Sequence, residues 1–324
     1  MSVIVTGGAG FLGSHLVDKL VAAGREVIVF DNLSTGRIAN LEKAIATGKT
    51  TFVYADVARD ATALNELIDN AKPGSPVTAI YHLASPASPN AYGRHPWETL
   101  QVNAIGTMSL IEVALARKAR FIYASTSEVY GDPLVHPQPE SYWGNVDPIG
   151  PRSCYDEGKR FGEAAVAAAV RSRGLQAQIV RFFNCYGPRM EPGDGRLVPS
   201  LLAALLRREA MPIQGTGEQT RSMTYVDDAV EFLMQLGQTA GEDFHPVNIG
   251  ADDERSVLEI AALLAQIAGV PYEAAFVDAR EGDPQRRRPD MTHARARGWN
   301  PKTSLRDGLT ATYAWAAEAL LTHI

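Results

Sequence analysis

Tyr155 and Lys159 stand four residues apart at the start of a helical pattern. That spacing puts both side chains on one helix face. A phenol with a pKa of about 10 is a poor base at neutral pH. A nearby ammonium stabilises the phenolate and lowers that value. Upstream, Phe121-Ile122-Tyr123-Ala124 reads as a strand running into a hydroxyl cluster, Ser125-Thr126-Ser127, followed by Glu128. A hydroxyl at a strand end, here Thr126, is placed to hydrogen-bond an alcohol. Tyr155, Lys159 and Thr126 together suit proton removal from a carbinol while hydride leaves to an acceptor. Cys154 reads as a small buried residue, because no histidine is placed to activate it. The 7 histidines are scattered, so no metal site is expected.

The hydride acceptor has its own signature near the start of the chain. Ser2 to Val5 is an apolar strand, Thr6-Gly7-Gly8-Ala9-Gly10-Phe11-Leu12-Gly13 is a glycine-rich turn, and a helical pattern runs on to Ala23. Glycines at 7, 10 and 13 in a strand–turn–helix context form a dinucleotide fingerprint. Gly7 permits the tight turn, Gly10 lets backbone N–H groups reach a pyrophosphate, and Gly13 lets the helix pack on the strand. Glu26 to Phe30 is a second strand that ends in Asp31, the acid expected to grip a ribose diol and to favour NAD over NADP. Asn32, Ser34, Thr35 and Gly36 follow it along the cofactor. Asp56 and Val57, after strand Thr51 to Tyr54, fall where an adenine edge is held. The strand from Val77 ends His82-Leu83-Ala84-Ser85, and small residues there let a cofactor lie close, as does Ala124.

The elements that position these residues alternate. Strands near 2–5, 26–30, 51–54, 77–83, 120–124 and 178–183 are separated by helices near 61–70, 97–117 and 155–173. That pattern predicts an α/β protein, a doubly wound parallel sheet of the Rossmann type with right-handed crossovers. Ligands bind beyond the carboxyl ends of such strands. From Asn184 the alternation weakens, so residues 1–184 are expected to form the NAD-binding domain. Residues 185–324 are expected to form mainly a smaller α/β substrate domain, with some segments returning to the sheet. Its helices are expected near 197–208, 227–236, 256–268 and 305–322. The proline-rich stretch from Asp132 to Arg152 is too long for a simple connection and is expected to be functional.

Bulk properties set the setting. The 324 residues are 45% hydrophobic and 21% charged, as in ordinary globular proteins. A net charge of −6 gives no basic field for nucleic acid or an anionic membrane. No apolar run looks long enough to span a bilayer. Two cysteines, Cys154 and Cys185, form no framework, and Met1-Ser2-Val3-Ile4-Val5 enters a strand directly. A reduced, cytoplasmic protein is expected.

The glycine motif with Thr126, Tyr155 and Lys159 resembles an extended short-chain dehydrogenase/reductase. Longer strings narrow the resemblance to UDP-glucuronate decarboxylases: His82 to Pro89, Ser125 to Pro133, Tyr142-Trp143-Gly144, Pro148 to Arg160 and Asp283-Pro284-Gln285 to Asp290. The resemblance runs from Ser2 to about Leu321. It implies tightly held NAD, a UDP-sugar substrate and a homodimer joined by the helices at 97–117 and 155–173. It also implies oxidation at C4 of UDP-glucuronate, loss of carbon dioxide from C5, and return of the hydride to give UDP-xylose. Tyr155 is then the base, Lys159 tunes it and Thr126 orients the C4 hydroxyl. Glu128 and Arg221 serve decarboxylation, beside Ser127. Ser85, Asn184, Arg189, Arg196, Leu197 and Arg287 join Thr126, Tyr155 and Arg221 around the UDP-sugar. Related 4,6-dehydratases look like Thr-Asp-Glu across the hydroxyl cluster, and Ser127 cannot supply that acid. The pattern departs at Gln101 and Val102, at Cys185 and Glu191, and at Arg221 to Asp228, which is closer to epimerases. A UDP-glucuronate 4-epimerase therefore remains the alternative, with a non-catalytic dinucleotide-binding protein behind it.

Overall fold

β1 (Ser2–Thr6) is buried along its whole length. Parallel strands become apolar throughout when helices cover both faces of the sheet, and the computed structural model shows that arrangement. It describes residues 1–279 and 286–321. β2 (Glu26–Asp31), β3 (Thr50–Tyr54), β4 (Val77–His82), β5 (Arg120–Thr126) and β6 (Ala177–Phe182) follow, and β7 (Val247–Ile249) closes one edge. The strand order is β7-β6-β5-β4-β1-β2-β3, and every pairing is parallel. The order reverses between β1 and β4, where open sheets of this kind receive ligands.

One face of the sheet is covered by α1 (Phe11–Ala22), whose Leu16, Val17 and Leu20 pack on Val3, Val5 and Val29. The other face is covered by α2 (Ala61–Ala71), α3 (Pro96–Arg117) and α4 (Ser153–Arg173). α4 approaches closely because Gly162 faces Tyr123. A Cβ at Gly162 would stand 2.0 Å from the Tyr123 hydroxyl.

Three features refine the expectations. β5 runs on to Thr126 instead of stopping at Ala124, with Ser125 and Thr126 in register with Arg181 and Phe182 of β6. α3 contains a wide π-helical turn at Val102–Gly106, a feature common at functional sites. α3 is also long and apolar enough by itself to cross a bilayer, contrary to the expectation above. Half of that apolar stretch is buried inside this protein, which accounts for its composition.

Beyond Asn184 the chain divides. Helix Val226–Gln238 and β7 return to the first core, together with Met291, Ala294 and Trp299. Helices Leu197–Leu206, Val257–Ala268 and Leu305–Leu321 gather around strand Met211–Gln214 in a separate cluster. Val257–Ala268 starts with a reciprocal capping box between Ser256 and Glu259. Strand Thr220–Ser222 lies between Glu254–Ser256 and Arg286–Arg287. Asp283, Pro284 and Gln285 lie outside the described residues, as does the expected end of the last helix at Thr322.

Candidate active site

The carboxyl ends of β1, β2, β4, β5 and β6 open into one cleft of about 690 Å³. Gly7, Gly10, Phe11, Leu12, Gly13, Asp31, Asn32, Ser34, Thr35, Gly36, Asp56, Val57, Leu83, Ala84, Ser85 and Ala124 all line it. So do Thr126, Ser127, Glu128, Tyr155, Lys159, Asn184, Arg189 and Arg196. Leu197, Arg221 and Arg287 do not: Leu197 begins the helix behind Arg196, and the two arginines sit deeper.

The glycine turn is shaped for a phosphate. Gly7 has φ +69°, and a Cβ there would lie 2.8 Å from the backbone of Ala84. A Cβ on Gly13 would lie 2.1 Å from the Gly7 carbonyl oxygen. Gly10 begins α1 without a side-chain cap, so first-turn N–H groups and the helix dipole face the cleft. Asp31 accepts from Ala9 N at 2.9 Å and Leu33 N at 2.8 Å, tying the turn to the end of β2. Burial holds its carboxyl above the usual carboxylate range, against those two hydrogen bonds. The turn, the bare helix start and Asp31 at the edge fit a dinucleotide. At the mouth, Arg37 and Glu191 form an ion pair at 2.5 Å, and Asn90 Nδ2 donates to the Gly193 carbonyl at 2.9 Å. These contacts carry the Gly187–Arg196 segment across the cleft. The π-helical turn of α3 brings Asn103 Nδ2 to 3.0 Å from Ser85 Oγ.

Tyr155 and Lys159 emerge from the first turns of α4, over the end of β5. Lys159 Nζ donates to the Ala124 carbonyl at 2.8 Å and lies 6.0 Å from the Tyr155 ring centroid. Burial pushes Lys159 down to about 7, against the charge of Glu163 one turn later. Burial also raises Tyr155 well above the usual phenol value, while the hydrogen-bonded Thr126 hydroxyl acts in the opposite sense. Desolvation thus outweighs the protein's own groups at the phenol. A stacked neighbour, Tyr92, fixes the ring, with centroids 5.3 Å apart and planes 11° from parallel.

Glu128 follows Thr126 in the turn Ser127–Tyr130 and is clamped by two arginines, Arg152 and Arg287. Arg287, Arg152 and Arg221 hold its carboxyl below the usual range against strong desolvation. Arg287 thus meets Glu128 directly. Its strand neighbour Arg221 donates to the Thr220 carbonyl at 2.8 Å. Across the cleft, Asn184 Nδ2 and Arg189 Nη1 are buried donors without a partner among the described residues. Arg196 lies over the Phe11 ring at 5.6 Å. Gln101, where the sequence departs, does not line the cleft.

Three contributors escaped the sequence reading. Tyr92 gave no signal, since an aromatic on a short helix is ordinary. The Arg37–Glu191 pair joins residues too far apart in sequence to associate. Arg152 did leave a sign: it is the N-cap of α4, where a cation opposes the helix dipole and so calls for a specific partner.

Comparison with known proteins adds a family context. The profile of the NAD dependent epimerase/dehydratase family matches residues 3–250. The chain is 46% identical over 311 residues to UDP-glucuronic acid decarboxylase 5 of Arabidopsis thaliana, covering 95% of this chain and 87% of that one. It is 43% identical to UDP-glucuronic acid decarboxylase 1 of Xenopus tropicalis, covering 96% and 70%. Among solved structures, UDP-glucose 4-epimerase from Thermotoga maritima, with UDP-glucose, superposes with a TM-score of 0.89 at 33% identity, covering 99% and 100%. A UDP-glucuronic acid 4-epimerase mutant from Bacillus cereus, with a fluorinated UDP-glucuronic acid analogue and NAD, superposes with a TM-score of 0.86 at 26% identity, covering 98% and 100%.

Proposed function

Since the chain belongs to the NAD dependent epimerase/dehydratase family, we propose that it is an NAD-dependent UDP-glucuronate decarboxylase that forms UDP-xylose. The observation that carries this reading is Glu128, clamped by two arginines in the same wall of the cleft as Thr126 and Tyr155. The curated relatives at 42–46% identity that support it are all decarboxylases. The epimerases described above match at 26–33%.

A C5 carboxylate does not leave readily while the electrons left behind have no acceptor. A ketone at C4 makes the sugar a β-keto acid, and the carbonyl takes up those electrons. NAD, held by the glycine turn and Asp31, would supply reversible hydride acceptance at C4. Tyr155 takes the proton of the C4 hydroxyl and gives it back at the end. Thr126 fixes the hydroxyl, and buried Lys159, when protonated, supplies positive charge near the phenol. When the C5–carboxylate bond breaks, its electron pair becomes the enolate of C4 and C5, and a proton restores C5. Glu128, held between Arg152 and Arg287, orders the corner where that exchange happens. Asn184 and Arg189 offer their unpartnered donors to the UDP-sugar, beside Arg196.

The protein acts as a homodimer in the cytoplasm. Trp97, Leu100, Ile105 and Met108 on α3 and Phe161 on α4 are exposed apolar side chains on adjacent helices. A four-helix contact would cover them. Two free cysteines suit a reducing compartment.

Mass analysis of the product from UDP-glucuronate tests the reaction. Loss of carbon dioxide with a pentose product is expected. Unchanged mass with inverted C4 would make the protein an epimerase and sink the proposal. Light scattering tests the dimer, and a monomer would remove that part.

A further inference from the structure

Asp156 follows the proposed base in sequence but plays no part in the scheme above. It is buried, does not line the cleft, and its Oδ1 has no partner among the described residues. Its Oδ2 lies 3.7 Å from Arg152 Nε. Through Nη2, the same guanidinium holds Glu128 Oε2, and Arg287 takes the other Glu128 oxygen. Arg152 is therefore shared between a carboxylate that faces the cleft and one that does not. We infer that Asp156 is a positioning residue that sets, through Arg152, the positive charge that the Glu128 corner presents to a carboxylate-bearing sugar.

This inference rests on the decarboxylase reading, in which the substrate carries a carboxylate at C5. The charged groups around Asp156 are Glu128 on its turn, Arg152 and Glu157 along its own segment, and Arg287 from the neighbouring strand. Arg221 adds charge toward Glu128 from the next strand. With Asp156 neutral, Glu128 is opposed by three arginines. With Asp156 ionised, a second negative charge is added behind Arg152. Burial, reinforced by Glu128, lifts the Asp156 carboxyl to about 7. The change of state thus falls in the neutral range, and its direction follows: the corner attracts an anionic sugar more strongly below that range than above it.

The test compares two ligands that differ only in the C5 substituent, UDP-glucuronate and UDP-glucose. Both are titrated by calorimetry into NAD-loaded Tyr155→Phe protein, which binds without turning over, with and without Asp156→Asn. On going from about pH 6 to about pH 8, UDP-glucuronate should bind three- to tenfold more weakly while UDP-glucose hardly changes, the size expected for one added charge at short range. Asp156→Asn should remove most of that slope, and Asp156→Glu should keep it. Lys159 titrates in the same range but is present in every variant, so the difference between variants isolates Asp156. An unchanged slope in Asp156→Asn, or equal slopes for the two sugars, overturns the inference. Asp156→Ser, equally neutral, replaces Asn if NAD content shows that the first variant is misfolded. The product test above decides the decarboxylase reading separately.

Discussion

Tyr92 lies flat against Tyr155, ring on ring, although the two come from different helices. The contact fixes the plane of the ring whose oxygen is proposed to move the proton. Tyr155→Phe should therefore abolish turnover while NAD stays bound. Tyr92→Leu should keep the fold and lower kcat roughly fivefold, in keeping with about 1 kcal/mol for an aromatic pair. Steady-state rates and cofactor content by absorbance check both. Full activity in Tyr155→Phe would remove it as the base.

Glu128→Gln keeps the shape of the clamp but removes its negative charge, leaving Arg152 and Arg287 without their counter-ion. Oxidation at C4 should survive, and carbon dioxide release should fall by about two orders of magnitude, the range for losing a preorganised electrostatic group. NADH absorbance and carbon dioxide capture, followed together, separate the two steps. Equal loss of both would place Glu128 outside decarboxylation.

The Asp156 carboxyl also leaves a mark on stability. Its folded pKa is about 7, raised from 3.8. Between those values the folded protein keeps a proton that the unfolded chain releases, so stability falls as pH rises through that window. Asp156→Asn does not titrate. Its stability relative to the parent should grow between about pH 4 and pH 7 and then level off, by on the order of 1–3 kcal/mol. Denaturant melts at several pH values check this, and a constant difference would contradict it.

Arg37 and Glu191 meet across the mouth of the dinucleotide cleft. Both are well exposed, so the pair is worth about 0.2–1 kcal/mol and is screened by salt. Glu191→Gln should speed loss of reduced cofactor by about two- to fivefold at low salt, less at high salt. Restoring opposite charges with Arg37→Glu and Glu191→Arg together should recover retention. Trapping of released NADH by a coupled oxidase measures it.

Much of this protein was legible in one dimension because the signals are local. A glycine turn after an apolar strand, an acid at the end of the next, and Tyr155 four before Lys159 are dictated by backbone geometry and helix spacing, and they fixed the sheet and most of the cleft. β7 escaped because Val247-Asn248-Ile249 is too short to show a period. Its place beside β6 depends on the packing of distant helices. The clamp on Glu128 escaped for a related reason. Arg287 comes from a two-residue strand far down the chain, and Arg152 from the end of a long proline-rich loop. Charge partners like these are set by distance in space, which sequence does not carry. Desolvation is likewise a property of the packed whole, so only the tertiary structure decided which way Tyr155, Lys159 and Asp156 shift.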